Sequence, residues 1–272
     1  MLGGDAGRQL WHAATLMMKP DGLAAGKLLY RYLDFTARLE HLVVNRTVLG
    51  IAHDTLGLQL PEPMRLDAYK IYCDEAYHAL FSADLIVQVR DATGIAPALP
   101  PEPFFLRRLA AVRAGADERS RPLVDLMFVI ISETLISATL AEVPDDPEVA
   151  GAVREVLRDH LADEGRHHRY FALFLRQLWT QLDTGDRRAA ALLVPALVDC
   201  FLRPDQDAVR ADLLAAGLSP ADADQVVAKV FPPELVRGYT WSTTRQMVRY
   251  FAQLGALDDP EVEAVFATGR LV

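Results

Sequence analysis

The sequence predicts an all-α protein with a bundle of four long helices at its core. Apolar residues recur with helical period in nearly every long segment, and no segment alternates apolar and polar residues for more than a few positions, as a strand would. Proline and glycine residues separate the segments, as expected at helix ends. The chain has 272 residues, of which 51% are hydrophobic, so it can bury a large core. We expect one all-α domain over residues 1–272.

The four core helices are predicted within residues 20–182, and breaking residues bound each of them. Gly57 ends the first helix, and Gly94 followed by Pro97 ends the second. Pro144 separates the third from the fourth, and a shorter periodic segment lies between the second and the third. The predicted bounds, in order along the chain, are residues 22–57, 63–93, 103–114, 120–142 and 147–181.

Residues 183–272 are predicted to add shorter helices that pack on the core. Pro204, Pro220 and Pro232 separate these helices. Ser219 before Pro220 is typical of a helix start, because the serine oxygen accepts a hydrogen bond from the first turn and proline already has helical φ. The predicted bounds are residues 186–203, 206–216, 220–230, 233–255 and 259–268.

Charge and composition argue against several classes of partner. A formal net charge of −9 disfavours a nucleic-acid surface or an anionic membrane. The most strongly apolar run, residues 126–131, is too short to span a bilayer, and residues 1–20 lack the basic start and apolar core of a signal peptide. The two cysteines cannot form a disulfide framework. We expect a cytoplasmic protein without a nucleic-acid or membrane partner.

Each of the four long helices carries a glutamate within an otherwise apolar stripe. These residues are Glu40, Glu75, Glu133 and Glu164. A carboxylate buried without a partner costs several kcal/mol, so such residues are usually paired or bind a cation. Four of them directed into one bundle predict a shared positive charge.

Two of the glutamates belong to a repeated Asp-Glu-x-x-His motif, 74-DEAYH-78 and 163-DEGRH-167. One such motif is usually a solvated helix face. Two copies and two further glutamates, however, match the ferritin-like carboxylate proteins, in which these residues enclose two metal ions. Asp74 and Asp163 are expected to accept the remaining N–H of a ligating imidazole. Bundle geometry predicts that Asp163 pairs with His78 and Asp74 with His167.

His160 lies one turn before Glu164, which extends the fourth motif to His-x-x-x-Glu-x-x-His. With this histidine, the chain resembles the p-aminobenzoate N-oxygenase (AurF-type) family of di-iron oxygenases. The ligand order of that family appears here as Glu40, Glu75, His78, Glu133, His160, Glu164 and His167.

The resemblance implies a ferritin-like bundle that holds two iron ions, with manganese as an alternative metal. It also implies that Glu40 and His78 bind one ion, that Glu133, His160 and His167 bind the other, and that Glu75 and Glu164 bridge them. Carboxylates with a few imidazoles suit iron or manganese better than a structural zinc, which prefers a closed tetrahedral set.

The implied activity is the O2-dependent oxidation of the nitrogen of a small amine substrate to hydroxylamine or nitro products. The sequence contains no flavin or nicotinamide motif, and we expect no bound haem. Electrons are therefore expected from an external donor, a reductase or a ferredoxin. A homodimer is compatible with the sequence. C–H hydroxylation or desaturation on the same core remains an alternative, as does a metal oxidase or storage protein without an organic substrate.

Candidate pocket residues lie one turn to either side of the ligands. They are mostly small or apolar, which suits a flat or slender organic molecule. The set consists of Thr36, Thr47, Ser82, Ile136, Ser137, Leu140 and Phe171.

Overall fold

The computed structural model describes residues 23–140 and 151–272, and residues 1–22 and 141–150 lie outside the described part of the chain. Between short connections, the described residues form helices and no strand, which confirms the all-α prediction. The α-helices are α1 (Leu23–Leu39), α2 (Asn45–Ala52), α3 (Glu62–Thr93), α4 (Phe104–Gly115), α5 (Val124–Leu140), α6 (Gly151–Gln181), α7 (Thr184–Leu202), α8 (Gln206–Ala215), α9 (Pro220–Val230), α10 (Pro233–Gln253) and α11 (Pro260–Thr268).

The predicted helix bounds agree closely with these elements, with one clear difference. The first helix was expected to reach residue 57, but α2 ends at Ala52. Asp54 adopts a left-handed conformation with φ of 57°, which a helix cannot continue through and which aspartate tolerates better than most residues. The predicted end at residue 142 and the predicted start at residue 147 lie outside the described residues.

The four-helix core consists of α1 with α2, then α3, α5 and α6. The Tyr30 hydroxyl at the start of α1 donates to the Ile95 carbonyl just beyond α3, so these helices run antiparallel. Arg119 before α5 is paired with Asp183 after α6, which makes the second pair antiparallel as well. Helices α3 and α6 are also antiparallel, since His78 contacts Asp163 and Asp74 contacts His167. The ends at Leu23, Thr93, Leu140 and Gly151 therefore lie together, and we call this the His160 end of the bundle.

A π-helical turn, Glu40–Val44, joins α1 to α2. It contains one residue more per turn than an α-helix and therefore shifts the buried stripe of the helix at this point. Val48 and Ile51 after the turn are fully buried, as are Glu40 and Val44 at its two ends. The turn thus keeps a carboxylate and the apolar residues that follow it on the inside of the bundle.

Helix α5 is the central helix, and every residue from Met127 to Ile136 is buried. Because the helix is apolar on all sides, the segment Arg121–Leu140 is long and apolar enough to cross a membrane, with a mean hydropathy of 1.9. The expectation that no segment meets this criterion was wrong, because it considered only the uninterrupted apolar run. However, 67% of this apolar segment is buried inside the protein. A helix at the centre of a protein core is apolar on all sides because all of its sides face other apolar residues.

The additional helices pack on the core in two ways. Residues of α7, α10 and α11 belong to the main hydrophobic cluster. Helices α8 and α9 form a separate hairpin with a small cluster of its own around Val209, Leu213 and Ala223. Asp183, Asp205, Ser219 and Asp259 cap the N-termini of α7, α8, α9 and α11 with side-chain oxygens.

Candidate metal centre

All seven candidate ligands lie together in the middle of the bundle, and each is at most 1% exposed. Their ligand atoms form two groups, within each of which all atoms lie within 4.8 Å of one another. Glu164 belongs to both groups, so it occupies the expected bridging position. The first group is Glu40, His78, His160 and Glu164, and the second is Glu75, Glu133, Glu164 and His167.

In the first group, two imidazoles face two carboxylates. The Nε2 atom of His160 lies 3.1 Å from Glu40 Oε1 and 3.1 Å from Glu164 Oε1. The Nδ1 atom of His78 lies 3.3 Å from Glu40 Oε2. The two rings are 4.2 Å apart between centroids. Two nitrogens and two carboxylates thus converge on one small volume.

In the second group, one imidazole faces three carboxylates. The Nδ1 atom of His167 lies 3.0 Å from Glu75 Oε1, 3.5 Å from Glu164 Oε1 and 3.7 Å from Glu133 Oε2. The other oxygen of Glu75 lies 2.9 Å from Nδ1 of His78 in the first group. Glu75 therefore contacts histidines of both groups, as its expected bridging role requires.

The position of His160 corrects one expectation. The resemblance implied that His160 shares an ion with Glu133 and His167, but the structure places it with Glu40 and His78. His160 and His167 are seven residues apart on one helix, which separates them by about 10 Å along its axis. Glu164 lies between them, so each histidine faces a different group.

Several carboxylate oxygens of the centre are buried without a hydrogen-bond partner among the described residues. Both oxygens of Glu40, both of Glu133 and one each of Glu75 and Glu164 are buried without a hydrogen-bond partner among the described residues. Such oxygens are very costly in a protein interior unless a cation compensates them. Oxygen donors with three imidazoles suit iron or manganese, and the residues present therefore fit a two-ion centre.

The two aspartates make the predicted crosswise contacts. The Nε2 atom of His78 lies 3.2 Å from Asp163 Oδ2, and that of His167 lies 3.3 Å from Asp74 Oδ2. The hydrogen bond with His167 lowers the pKa of Asp74, so that carboxyl is ionised at neutral pH. Arg166 is ion-paired with both aspartates, a contact that we did not predict. The sequence contains a signal for the contact with Asp163, because Arg166 follows it by three residues and side chains at this spacing are neighbours on a helix.

We expect Asp74→Ala or Asp163→Ala to weaken metal affinity by about 10–100-fold and to leave the helical fold unchanged, because each aspartate orients an imidazole without reaching the metal position. Titration with Mn(II), followed by calorimetry, measures the affinity, and circular dichroism measures the fold. Asp84→Ala, at an exposed position of the same helix as Asp74, is the control. Unchanged affinity in both aspartate variants would show that these contacts do not support metal binding.

The carboxyl groups of the centre differ in their pKa values. Burial raises the pKa of Glu133 well above its usual range, and the neighbouring carboxylates add to this effect. Burial also raises the pKa of Glu40. For Glu164, burial acts in the same direction, but hydrogen bonds with His160 and His167 outweigh it and lower the pKa to about 2. The shared carboxylate is thus ionised even without metal.

The imidazoles carry the compensating positive charge in the metal-free protein. Burial lowers the pKa of His78, but the adjacent carboxylates of Glu40 and Glu75 outweigh it and raise the value to about 11. For His160, burial is again outweighed, by Glu40 and Glu164, and its pKa is raised to about 9. Both rings are therefore protonated at neutral pH.

We expect metal binding to release protons and to strengthen as the pH rises from about 6 to 8. The sign follows from the raised pKa values of His78 and His160, since a protonated imidazole must lose its proton before it binds a metal. Calorimetric titration with Mn(II) in buffers of different ionisation enthalpy should show release of at least about one proton per ion. A heat of binding independent of the buffer would contradict this expectation.

The candidate pocket residues divide between the two ends of the centre. Five of them lie towards the His160 end, namely Thr36, Ser82, Ile136, Ser137 and Leu140. Thr47 and Phe171 lie on the opposite side, because they follow Glu40 and His167 on helices that run in that direction. Residues one turn before and one turn after a ligand are separated by about 10 Å or more along the helix. The seven residues therefore do not line one common pocket.

Two comparisons with known proteins point to the same family. The chain is 28% identical over 200 residues to a 4-aminobenzoate N-oxygenase of Streptomyces thioluteus, an alignment that covers 72% of this chain and 58% of that relative. The chain thus spans a little over half the length of the curated relative. The family model described as P-aminobenzoate N-oxygenase AurF matches residues 10–255, a range that contains all seven candidate ligands. The chain belongs to this AurF family of p-aminobenzoate N-oxygenases.

Proposed function

We propose that this protein is a di-iron oxygenase that uses O2 to oxidise the nitrogen of a small aromatic amine. The observation that carries the proposal is the pair of buried ligand groups that share Glu164. In this proposal Glu40, His78 and His160 hold one ion, and Glu75, Glu133 and His167 hold the other. The name of the relative, a 4-aminobenzoate N-oxygenase, supports an aromatic amine as the substrate class.

Iron is the metal proposed, because two iron ions, when bound, supply the electrons that reduce O2. The protein contributes the arrangement around them. Asp74 and Asp163 hold the imidazoles of His167 and His78 in fixed orientations. The ligands are at most 1% exposed, so the surrounding helices exclude bulk water from the reacting groups.

The overall reaction requires a further reactant. Conversion of an amine and O2 to a hydroxylamine and water consumes two electrons and two protons. The two cysteines of the chain are too few for an iron–sulfur cluster with four cysteine ligands. An external reductase or ferredoxin is therefore part of the proposal.

The test is reconstitution of the purified protein with Fe(II) under anaerobic conditions, followed by exposure to O2 and a chemical reductant with a panel of amines. Mass spectrometry of the products should show a mass gain of oxygen on nitrogen, with 4-aminobenzoate and aniline as the first substrates. Oxygen on carbon instead would indicate a di-iron hydroxylase. Iron oxidation without any organic product would indicate a metal oxidase.

A further inference from the structure

A second set of polar side chains surrounds the centre at its His160 end. Thr36, Ser82 and Ser137 each lie four residues from a ligand of their own helix, and His160 has the same relation to Glu164. These four residues come from the four helices of the bundle. Because of the antiparallel pairing of those helices, all four lie one helical turn, about 5 Å, towards the same end. We call Thr36, Ser82, Ser137 and His160 the polar layer.

Each residue of the polar layer, of which only Ser137 is half-buried, has a buried polar atom without a hydrogen-bond partner among the described residues. Thr36 and Ser82 are each 1% exposed. Their hydroxyl oxygens, the Oγ of Ser137 and the Nδ1 of His160 are all buried without a partner among the described residues. Buried polar atoms are nearly always hydrogen-bonded in folded proteins, since leaving one unpaired is costly. These four atoms therefore point to a ligand.

Other buried hydroxyls in the same bundle behave differently. In α5, Ser132 donates to the Val129 carbonyl at 3.1 Å and Thr134 donates to the Ile130 carbonyl at 2.8 Å. Bonding to the preceding turn is the usual arrangement for a serine or threonine inside a helix. The hydroxyls of the polar layer do not make this bond. They are available to a group between the helices.

The opposite side of the centre is mainly apolar. One turn from the ligands in that direction lie Ile71, Val129 and Phe171, all buried. Asn45, which follows the π-helical turn, is a polar exception there. A hydrogen-bonding group of a substrate is therefore accommodated better at the His160 end.

The chemistry of the polar layer limits the kind of group that it can bind. Hydroxyls both donate and accept hydrogen bonds, and the layer contains no lysine or arginine that would attract a carboxylate. Among the fully buried side chains of the described residues, none is a lysine or arginine. A neutral amine, which also donates and accepts, matches this layer. The buried Tyr32 hydroxyl lies one turn further out, close to Thr36, and continues the polar lining.

We propose that the polar layer binds the amino group of the substrate and so selects amines over isosteric apolar compounds. This inference rests on the proposed function and adds the residues that recognise the nitrogen. In 4-aminobenzoate, the amino group would contact the polar layer and the carboxylate would point away from it.

The test compares each amine with the analogue in which a methyl group replaces the amino group. The pairs are 4-aminobenzoate with 4-methylbenzoate and aniline with toluene, titrated into iron-loaded protein without O2. We expect the wild type to bind at least one amine about 10-fold more tightly than its methyl analogue. In the triple variant Thr36→Val, Ser82→Ala, Ser137→Ala, this preference should fall to about 3-fold or less.

The matched control is Ser132→Ala with Thr134→Val, which removes two hydroxyls of α5 that bond to their own helix. It should keep the wild-type preference, and both variants should bind two ions per chain. If the triple variant keeps the full preference, the inference is wrong even where the wild type oxidises the amine. The inference is also wrong if the triple variant oxidises the amine more slowly but keeps the full preference in binding. The hydroxyls would then serve proton delivery. A wild type that neither prefers nor oxidises any amine would overturn the proposed function itself.

Discussion

We expect the His160→Ala protein to keep its helical fold but to lose amine oxidation by more than about 100-fold, beyond the range typical of groups outside the coordination sphere. His160 provides one of the two imidazoles of the first ligand group and lies 3.1 Å from each of the Glu40 and Glu164 carboxylates. Its removal leaves that group with one nitrogen. The fold should persist because the core extends over all four helices. Product yield, iron content and circular dichroism measure the three effects.

The control for this experiment is His53→Ala, since His53 is an exposed histidine at the end of α2. It should leave iron content and product yield unchanged. Wild-type product formation by His160→Ala would mean that His160 is not a ligand. The residue that distinguishes this centre from a generic ferritin-like site would then have no role in the chemistry.

The second large effect is expected at Glu164, the one residue that belongs to both ligand groups. The wild type should bind two ions per chain, and Glu164→Gln should bind one or fewer. Glutamine has the size and shape of glutamate, so packing is preserved, but the shared negative charge is lost. Elemental analysis after Fe(II) or Mn(II) loading and dialysis gives the stoichiometry.

Glu155→Gln is the matched control, because Glu155 is an exposed glutamate on the same helix. It should bind two ions, as the wild type does. If Glu164→Gln also binds two ions with unchanged affinity, Glu164 is not shared between them. The two groups would then bind their ions independently.

Much of the centre could be predicted because helical spacing determines which residues share a face. Glu75 and His78, and likewise Glu164 and His167, are three residues apart and must point in nearly the same direction. The crosswise contacts of the two aspartates followed from the antiparallel arrangement of α3 and α6. These relations are local, and they hold along the whole length of a regular helix.

Other features depend on how the helices are aligned with one another, and the sequence does not contain that information directly. Spacing showed that His160 faces inward but not which carboxylates it meets. The unpaired hydroxyls of Thr36 and Ser137 depend on the space between helices, so only the assembled bundle shows them. The π-helical turn at Glu40 has no simple signature, because its residues are ordinary helix formers.

That turn has a consequence for which mutations the gene can accept. Deletion of a single residue between His41 and Val44 would restore regular α-helix and rotate everything after it by about 100° relative to Glu40. Val48 and Ile51, now fully buried, would turn towards solvent while Glu40 stayed in place. Substitutions at the exposed positions of the turn, His41 and Leu42, should be tolerated far better than any change of length. In a deep mutational scan, this short segment should therefore accept many exchanges of residue and almost no single-residue insertions or deletions.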